Sequence, residues 1–176
     1  MTTARPPRVL VIDDEQFVRD LLQDFFTKME FSVVAAADGS SGIAACRRAE
    51  FDVALVDLKM PGKSGIEVLG ELRRIDPSLP VIVMTGYPTI DSSIEAIRQG
   101  AYDYIIKPFK LQQLKELVDR AVREQSMSRE IEDLRERLGR VESELRQYRS
   151  QQDTTPQREP VAVSAPPGEM WQAASR

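Results

Sequence analysis

The chain has 176 residues, 41% hydrophobic and 30% charged, enough for one domain with a buried core plus an appendage. Its net charge of −4 gives nucleic acid or an anionic membrane no electrostatic attraction, so we expect neither as a direct partner. A single cysteine excludes an internal disulfide and a cysteine-rich zinc site, and the lack of any histidine means that a phosphohistidine, if one takes part, comes from another protein.

Residues 1–7 form a short N-terminal tail that leads straight into a strand and has no signal-peptide character. Residues 9–12 are a compact apolar run closed by two acids, Asp13 and Asp14. Phe17, Leu21, Leu22, Phe25 and Phe26 then share a helical face. A second apolar run spans 33–36, and Ile43 and Ala44 mark a weaker helix in which Cys46 is a small buried side chain. The third run, 53–56, is closed by Asp57. Pro61-Gly62 opens a loop, and Ser64 caps a helix carrying Ile66, Leu69 and Leu72, with Pro77 and Pro80 stopping it. Residues 81–84 form the fourth run, closed by Thr85, and Ile90, Ile94 and Ile97 line the next helix before Gly100. The last run, 104–106, meets Lys107-Pro108. A final helix carries Leu111, Leu114, Leu117, Val118, Ala121 and Val122.

Near-continuous apolar runs, rather than alternating ones, indicate strands buried on both faces of a parallel sheet. Five βα units predict an α/β domain with a doubly wound five-stranded parallel sheet over residues 8–125. A flavodoxin-like order 2-1-3-4-5 sets the first and third strands at the switch point, and ligands of such sheets bind outside the carboxyl ends of the strands. Asp13, Asp14, Asp57, Thr85 and Lys107 therefore converge in one crevice. Three carboxylates so gathered raise one another's pKa unless a cation sits among them. Mg²⁺ suits such a set, with Asp14 and Asp57 as direct ligands and Asp13 acting through metal-bound water. Beside the metal, Asp57 is able to attack an activated phosphoryl group, Lys107 to offset its charge, and Thr85 to hydrogen-bond it after transfer.

The set Asp13-Asp14, Asp57, Thr85 and Lys107-Pro108 resembles the receiver domain of bacterial two-component response regulators. The stretch from Met84 to Tyr87, and that from Gly100 to Phe109, most resemble receivers of the nitrogen-regulatory class. The resemblance implies a phosphoacceptor at Asp57, a sensor histidine kinase or phosphotransfer protein as donor, and a metal site completed by the backbone carbonyl of Lys59. It also implies a switch in which Tyr104 turns inward when Thr85 moves toward the phosphoryl. A phosphatase of the haloacid-dehalogenase type also uses an aspartyl phosphate, but such enzymes carry a second Asp two residues after the nucleophile. Here that residue is Lys59, so the chain reads as a phosphoacceptor with weak autodephosphorylation rather than an enzyme, with Lys59 and Tyr87 tuning the lifetime. A receiver-like adaptor that is never phosphorylated is the alternative.

Beyond a polar stretch at 124–129, Ile131, Leu134, Leu138, Val141, Leu145 and Tyr148 recur at spacings of 3 and 4, a heptad seam over 126–150. The seam stands one residue off the register of Leu111, Leu114, Val118 and Ala121, which predicts a phase shift near 126–128. A parallel dimer would pair Glu130 with Arg135, Arg137 with Glu142, and Glu144 with Arg149, all attractive. A homodimer is therefore expected, against a solvated helix or a seam for another protein. Residues 151–176 are polar and Pro-rich and read as disordered, with Trp171 a weak docking candidate. No Gly-Lys-Ser/Thr loop and no helix-turn-helix pattern follows residue 125. The output is expected to pass through an unidentified protein partner, or the chain is a receiver fragment of a larger transcription regulator. No run reaches the roughly 20 apolar residues of a membrane span, and the expected location is the cytoplasm.

Overall fold

The apolar runs become five strands in a computed structural model that describes residues 5–152: β1 (Arg8–Ile12), β2 (Ser32–Ala36), β3 (Val53–Asp57), β4 (Val81–Thr85) and β5 (Asp103–Ile106). All pair in parallel in the order β2-β1-β3-β4-β5, as the sequence predicts. Between them lie α1 (Gln16–Lys28), α2 (Gly39–Arg48), α3 (Gly65–Ile75) and α4 (Ile90–Arg98), and α5 (Leu111–Gln152) follows β5. Residues 153–176, and with them most of the segment expected to be disordered and Trp171, lie outside the described residues, as do residues 1–4.

The sheet is buried on both faces because both sides of every central strand are apolar. On one face Leu10, Ile12, Ala54, Val56, Val81 and Val83 meet α2, α3 and α4 through Ile43, Leu69, Leu72 and Ala96. On the other, Val9, Val11, Leu55, Ile82 and Met84 meet α1 and α5 through Leu22, Phe26, Leu114 and Val118. Ser64 caps α3 as expected, its hydroxyl accepting the Glu67 N–H while the Glu67 carboxylate accepts the Ser64 N–H. Gly100 ends α4 at φ +85°, a conformation that disfavours any side chain.

Two apolar faces turn out differently from their periodicity. On α4 only Ala96 is buried; Ile90 is 79% and Ile97 70% exposed, with Ile94 between them. The three isoleucines share an arc centred away from Ala96, the one small side chain through which α4 meets the core. A stripe at i, i+4, i+7 defines a face but not the direction in which it points. On α1 the expected face is too broad: Leu22 and Phe26 are buried, whereas Phe17 is 76% exposed and Leu21 also reaches solvent.

Helix α5 is unbroken through 126–128. Leu114, Val118, Ala121 and Gln125 form its buried row, and Ile131, Leu134, Leu138, Val141, Leu145 and Tyr148 form a separate exposed row in the single chain. The described residues fall into two units, one ending at Leu134 and one beginning at Arg135.

Candidate functional site

Asp13, Asp14, Asp57, Thr85 and Lys107 lie at the carboxyl edge of the sheet. Asp13 and Asp14 follow β1, Asp57 ends β3, Thr85 ends β4, and Lys107 follows β5, with its peptide bond to Pro108 cis. The Lys107 ammonium, whose side chain is 14% exposed, stands 2.7 Å from one Asp13 carboxylate oxygen and 2.9 Å from one of Asp57. Glu15 approaches it at 3.5 Å. The other oxygens of the two buried acids accept backbone hydrogen bonds, Asp13 from the Glu15 N–H at 2.9 Å and Asp57 from the Lys59 N–H at 3.0 Å. Asp14 is exposed. The buried Thr85 hydroxyl accepts from the Tyr87 N–H at 3.2 Å, and the Lys59 ammonium lies 4.3 Å from the centre of the exposed Tyr87 ring. Tyr104 packs against the α2–α4 side of the core, and its hydroxyl is buried without a hydrogen-bond partner.

The charges are not in balance. Burial pushes the Asp57 carboxyl above its ordinary 3.8; Lys107 pulls it down by hydrogen bond and charge, the Asp13 charge adds to the rise, and the Lys59 N–H opposes it. The net shift is upward. Burial also works to lower Lys107 from 10.5, but hydrogen bonds to Asp13 and Asp57 and the charges of both outweigh it, and its shift is upward too. One ammonium therefore serves two buried acids with a third carboxylate beside them.

Among the described residues no three His, Cys, Asp or Glu side chains form a closed metal cage. The donor chemistry nevertheless fits a hard cation. Mg²⁺ is held by one or two carboxylates with water completing its shell, and the Asp13, Asp57 and Glu15 carboxylates gathered around one ammonium leave negative charge for a cation to offset. Close backbone approach shapes the floor of this edge: a Cβ on Gly65 would lie 2.2 Å from the Asp57 carbonyl oxygen and 2.6 Å from the Leu58 Cα, so α3 starts this near Asp57 only with glycine.

The response regulator receiver domain family matches residues 9–119. The chain belongs to that family. The receiver is 40% identical over 131 residues to the regulatory protein AtoC of Escherichia coli, a match covering 74% of this chain and 28% of AtoC. It is 35% identical over 127 residues to the DNA-binding transcriptional regulator NtrC of Salmonella typhimurium, covering 70% and 27% of the two chains. The chain thus spans about a quarter of these two relatives. Among solved structures, the CheY-like response regulator receiver domain protein of Methanospirillum hungatei superposes with a TM-score of 0.69 at 28% identity, covering 70% of this chain and 98% of that one. NtrX from Brucella abortus gives 0.69 at 33% identity, covering 73% and 30%. Receivers of this family are phosphorylated on an aspartate and are not enzymes in the ordinary sense.

Sequence reasoning missed two sets of polar residues. Arg19, on α1, is buried, and its guanidinium donates to the Asp13 carbonyl at 2.7 Å and the Asp14 carbonyl at 2.8 Å. Its signal was a charged residue falling on the same arc of α1 as Val18 and Leu22. At the opposite edge of the sheet, the Asp52 carboxylate accepts from Arg5 at 2.9 Å, the Arg8 N–H at 2.7 Å and Arg129 at 2.9 Å. Gln125 joins this group: with its side-chain amide turned to match its neighbours, it donates to the Asp52 carbonyl at 2.5 Å and accepts from Arg129 at 3.1 Å. Residues 124–129 looked like a polar passage because hydropathy does not register a polar side chain buried by its partners.

Proposed function

We propose that this receiver takes a phosphoryl group onto Asp57 from the phosphohistidine of a sensor histidine kinase or a phosphotransfer protein. The observation that carries the reading is the Lys107 ammonium held between the Asp13 and Asp57 carboxylates at the carboxyl edge of the sheet. A carboxylate oxygen of Asp57 bonds to phosphorus as the donor's P–N bond breaks, and the imidazole leaves with that electron pair. Lys107 offsets charge on the transferred group, and the Thr85 hydroxyl hydrogen-bonds it afterwards. Mg²⁺, held by Asp14, Asp57 and the Lys59 carbonyl and through water by Asp13, would neutralise phosphoryl oxygens. The Lys59 ammonium cannot take the proton from an attacking water as a carboxylate in that position would, so the acyl phosphate persists, and the Lys59–Tyr87 pair beside the attack path tunes its lifetime. A groove of about 400 Å³ lined by Phe17, Val18, Leu21, Pro108 and Phe109 opens beside Lys107, apolar surface for the donor protein next to the buried acceptor.

Phosphorylation then repacks Thr85 and Tyr104 and alters the face of α4, β5 and α5, where Ile90, Ile94 and Ile97 are exposed. The seam from Ile131 to Tyr148 forms a parallel homodimer whose output is another protein. No described helix is long and apolar enough to cross a membrane, and we assign the chain to the cytoplasm. The relatives AtoC and NtrC favour a second reading in which this receiver serves a longer transcription regulator.

The test is incubation of the full chain with Mg²⁺ and acetyl phosphate. One phosphoryl group is expected by mass, absent in Asp57→Asn; retention in that variant defeats the assignment. Sedimentation with and without beryllofluoride, an aspartyl-phosphate mimic, addresses assembly. A mass change abolished by Asp57→Asn supports a phosphorylation-controlled dimer, a constant dimer makes the coiled coil permanent, and a constant monomer removes the homodimer.

A further inference from the structure

Arg19 is buried, 9% exposed, and among the described residues no carboxylate forms an ion pair with it. A buried cation without a counter-charge is costly unless its hydrogen bonds are made. Here they are made by the acidic turn itself. One terminal nitrogen donates to both the Asp13 and the Asp14 carbonyl, at 2.7 and 2.8 Å, and the other donates to the Gln16 side-chain oxygen. The turn is fastened from its other side by the Asp13 carboxylate, which accepts the Glu15 N–H at 2.9 Å. The Arg19 backbone N–H, in turn, donates to the Glu15 carbonyl at 3.1 Å.

Two consequences follow from this placement. The guanidinium pulls two successive carbonyls inward, which fixes the backbone from which Asp13 reaches Lys107 and Asp14 reaches solvent. It also puts a permanent positive charge beneath a turn bearing two carboxylates, easing their repulsion. A lysine at this position would supply the charge but not the planar fork that spans two carbonyls and an amide.

We propose that Arg19 is a positioning residue for the cation: it pre-organises the Asp13-Asp14 turn so that Mg²⁺ binds without the turn having to be ordered first. This rests on the reading of the acidic cluster as a Mg²⁺ site. Groups that orient metal ligands without touching the metal typically change affinity by about 10- to 100-fold when removed, and that is the loss expected here.

The experiment is calorimetric titration of the full chain with Mg²⁺ alone, for wild type, Arg19→Ala, Arg19→Lys, Asp14→Asn and Phe26→Leu. Phe26 is buried on the same helix, in the apolar core on the α1–α5 face of the sheet, so its variant reports loss of stability by itself. Arg19→Ala is expected to bind Mg²⁺ about 10- to 100-fold more weakly, Arg19→Lys to fall between it and wild type, and Phe26→Leu to match wild type. In phosphorylation by acetyl phosphate, Arg19→Ala should need more Mg²⁺ for half-maximal rate and regain the wild-type rate at saturation. Wild-type affinity in Arg19→Ala, or an equal loss in Phe26→Leu, overturns the proposal. Where Arg19→Ala does not fold, Arg19→Lys decides, and unchanged affinity there overturns it. No Mg²⁺ binding by wild type, or undiminished binding by Asp14→Asn, instead removes the site reading on which the proposal stands.

Discussion

At the carboxyl edge of the sheet one ammonium, Lys107, serves two buried carboxylates; at the opposite edge one carboxylate, Asp52, serves two guanidinium groups. Lys107 and Asp52 themselves are both largely withdrawn from water, and both join segments far apart in sequence. They differ in what is left unmet. Around Lys107 two buried carboxylates and the nearby Glu15 outnumber the one ammonium, and burial, with the Asp13 charge adding to it, holds Asp57 above its ordinary value despite Lys107. Around Asp52 both carboxylate oxygens are taken by donors, and the surplus positive charge is shared with Glu50 and Asp76 at 4.0 and 3.8 Å. The first arrangement carries surplus negative charge; in the second, both carboxylate oxygens are already occupied. Similar chemical groups give a site in one location and a fastener in the other, according to which sign is in excess.

The largest effect that would separate the two edges is expected from Lys107→Ala. Two buried acids then lose their counter-charge, which should cost about 3–5 kcal/mol in chemical denaturation, and added Mg²⁺ should restore part of it. Asp52→Ala should cost about 2 kcal/mol by stranding charged donors, be indifferent to Mg²⁺, and unprotect the amides of 125–134 in hydrogen exchange. If Mg²⁺ rescues both variants equally, the contrast between the edges is wrong. Tyr104→Phe removes a buried hydroxyl that has no partner and should stabilise the protein by about 1 kcal/mol in the same assay.

Asp57→Asn has the smallest expected effect and the sharpest pH signature. The folded-state pKa of Asp57 lies above 3.8, so its contribution is fully present below 3.8 and is lost as pH rises through the folded value. Asparagine carries no such loss. Its melting temperature should exceed that of wild type by a few degrees near neutral pH, and the two curves should meet below 3.8. A gap that persists in acid would show that packing, not ionisation, separates them.

The strands and their order were legible because β1, β3 and β4 are apolar on both faces, and acids at strand ends stand out against such runs. Convergence of Asp13, Asp57, Thr85 and Lys107 was legible for the same reason, since parallel strands deliver their carboxyl ends to one edge. The direction of α4 was not, because Ala96 contributes less to a hydrophobic pattern than the three isoleucines facing away from the sheet. Nor were Arg19 and Gln125, whose burial depends on backbone carbonyls that sequence does not display.

The Asp52 fastener also bears on where this module can be cut. Arg5, Gln125 and Arg129 all lie outside residues 9–119, the span shared with the family. A graft or truncation drawn at those limits would keep Asp13, Asp14, Asp57, Thr85 and Lys107 and leave Asp52 without either guanidinium. The span shared with the family and the span tied together through Asp52 therefore have different borders, and the wider one reaches Arg129 of α5.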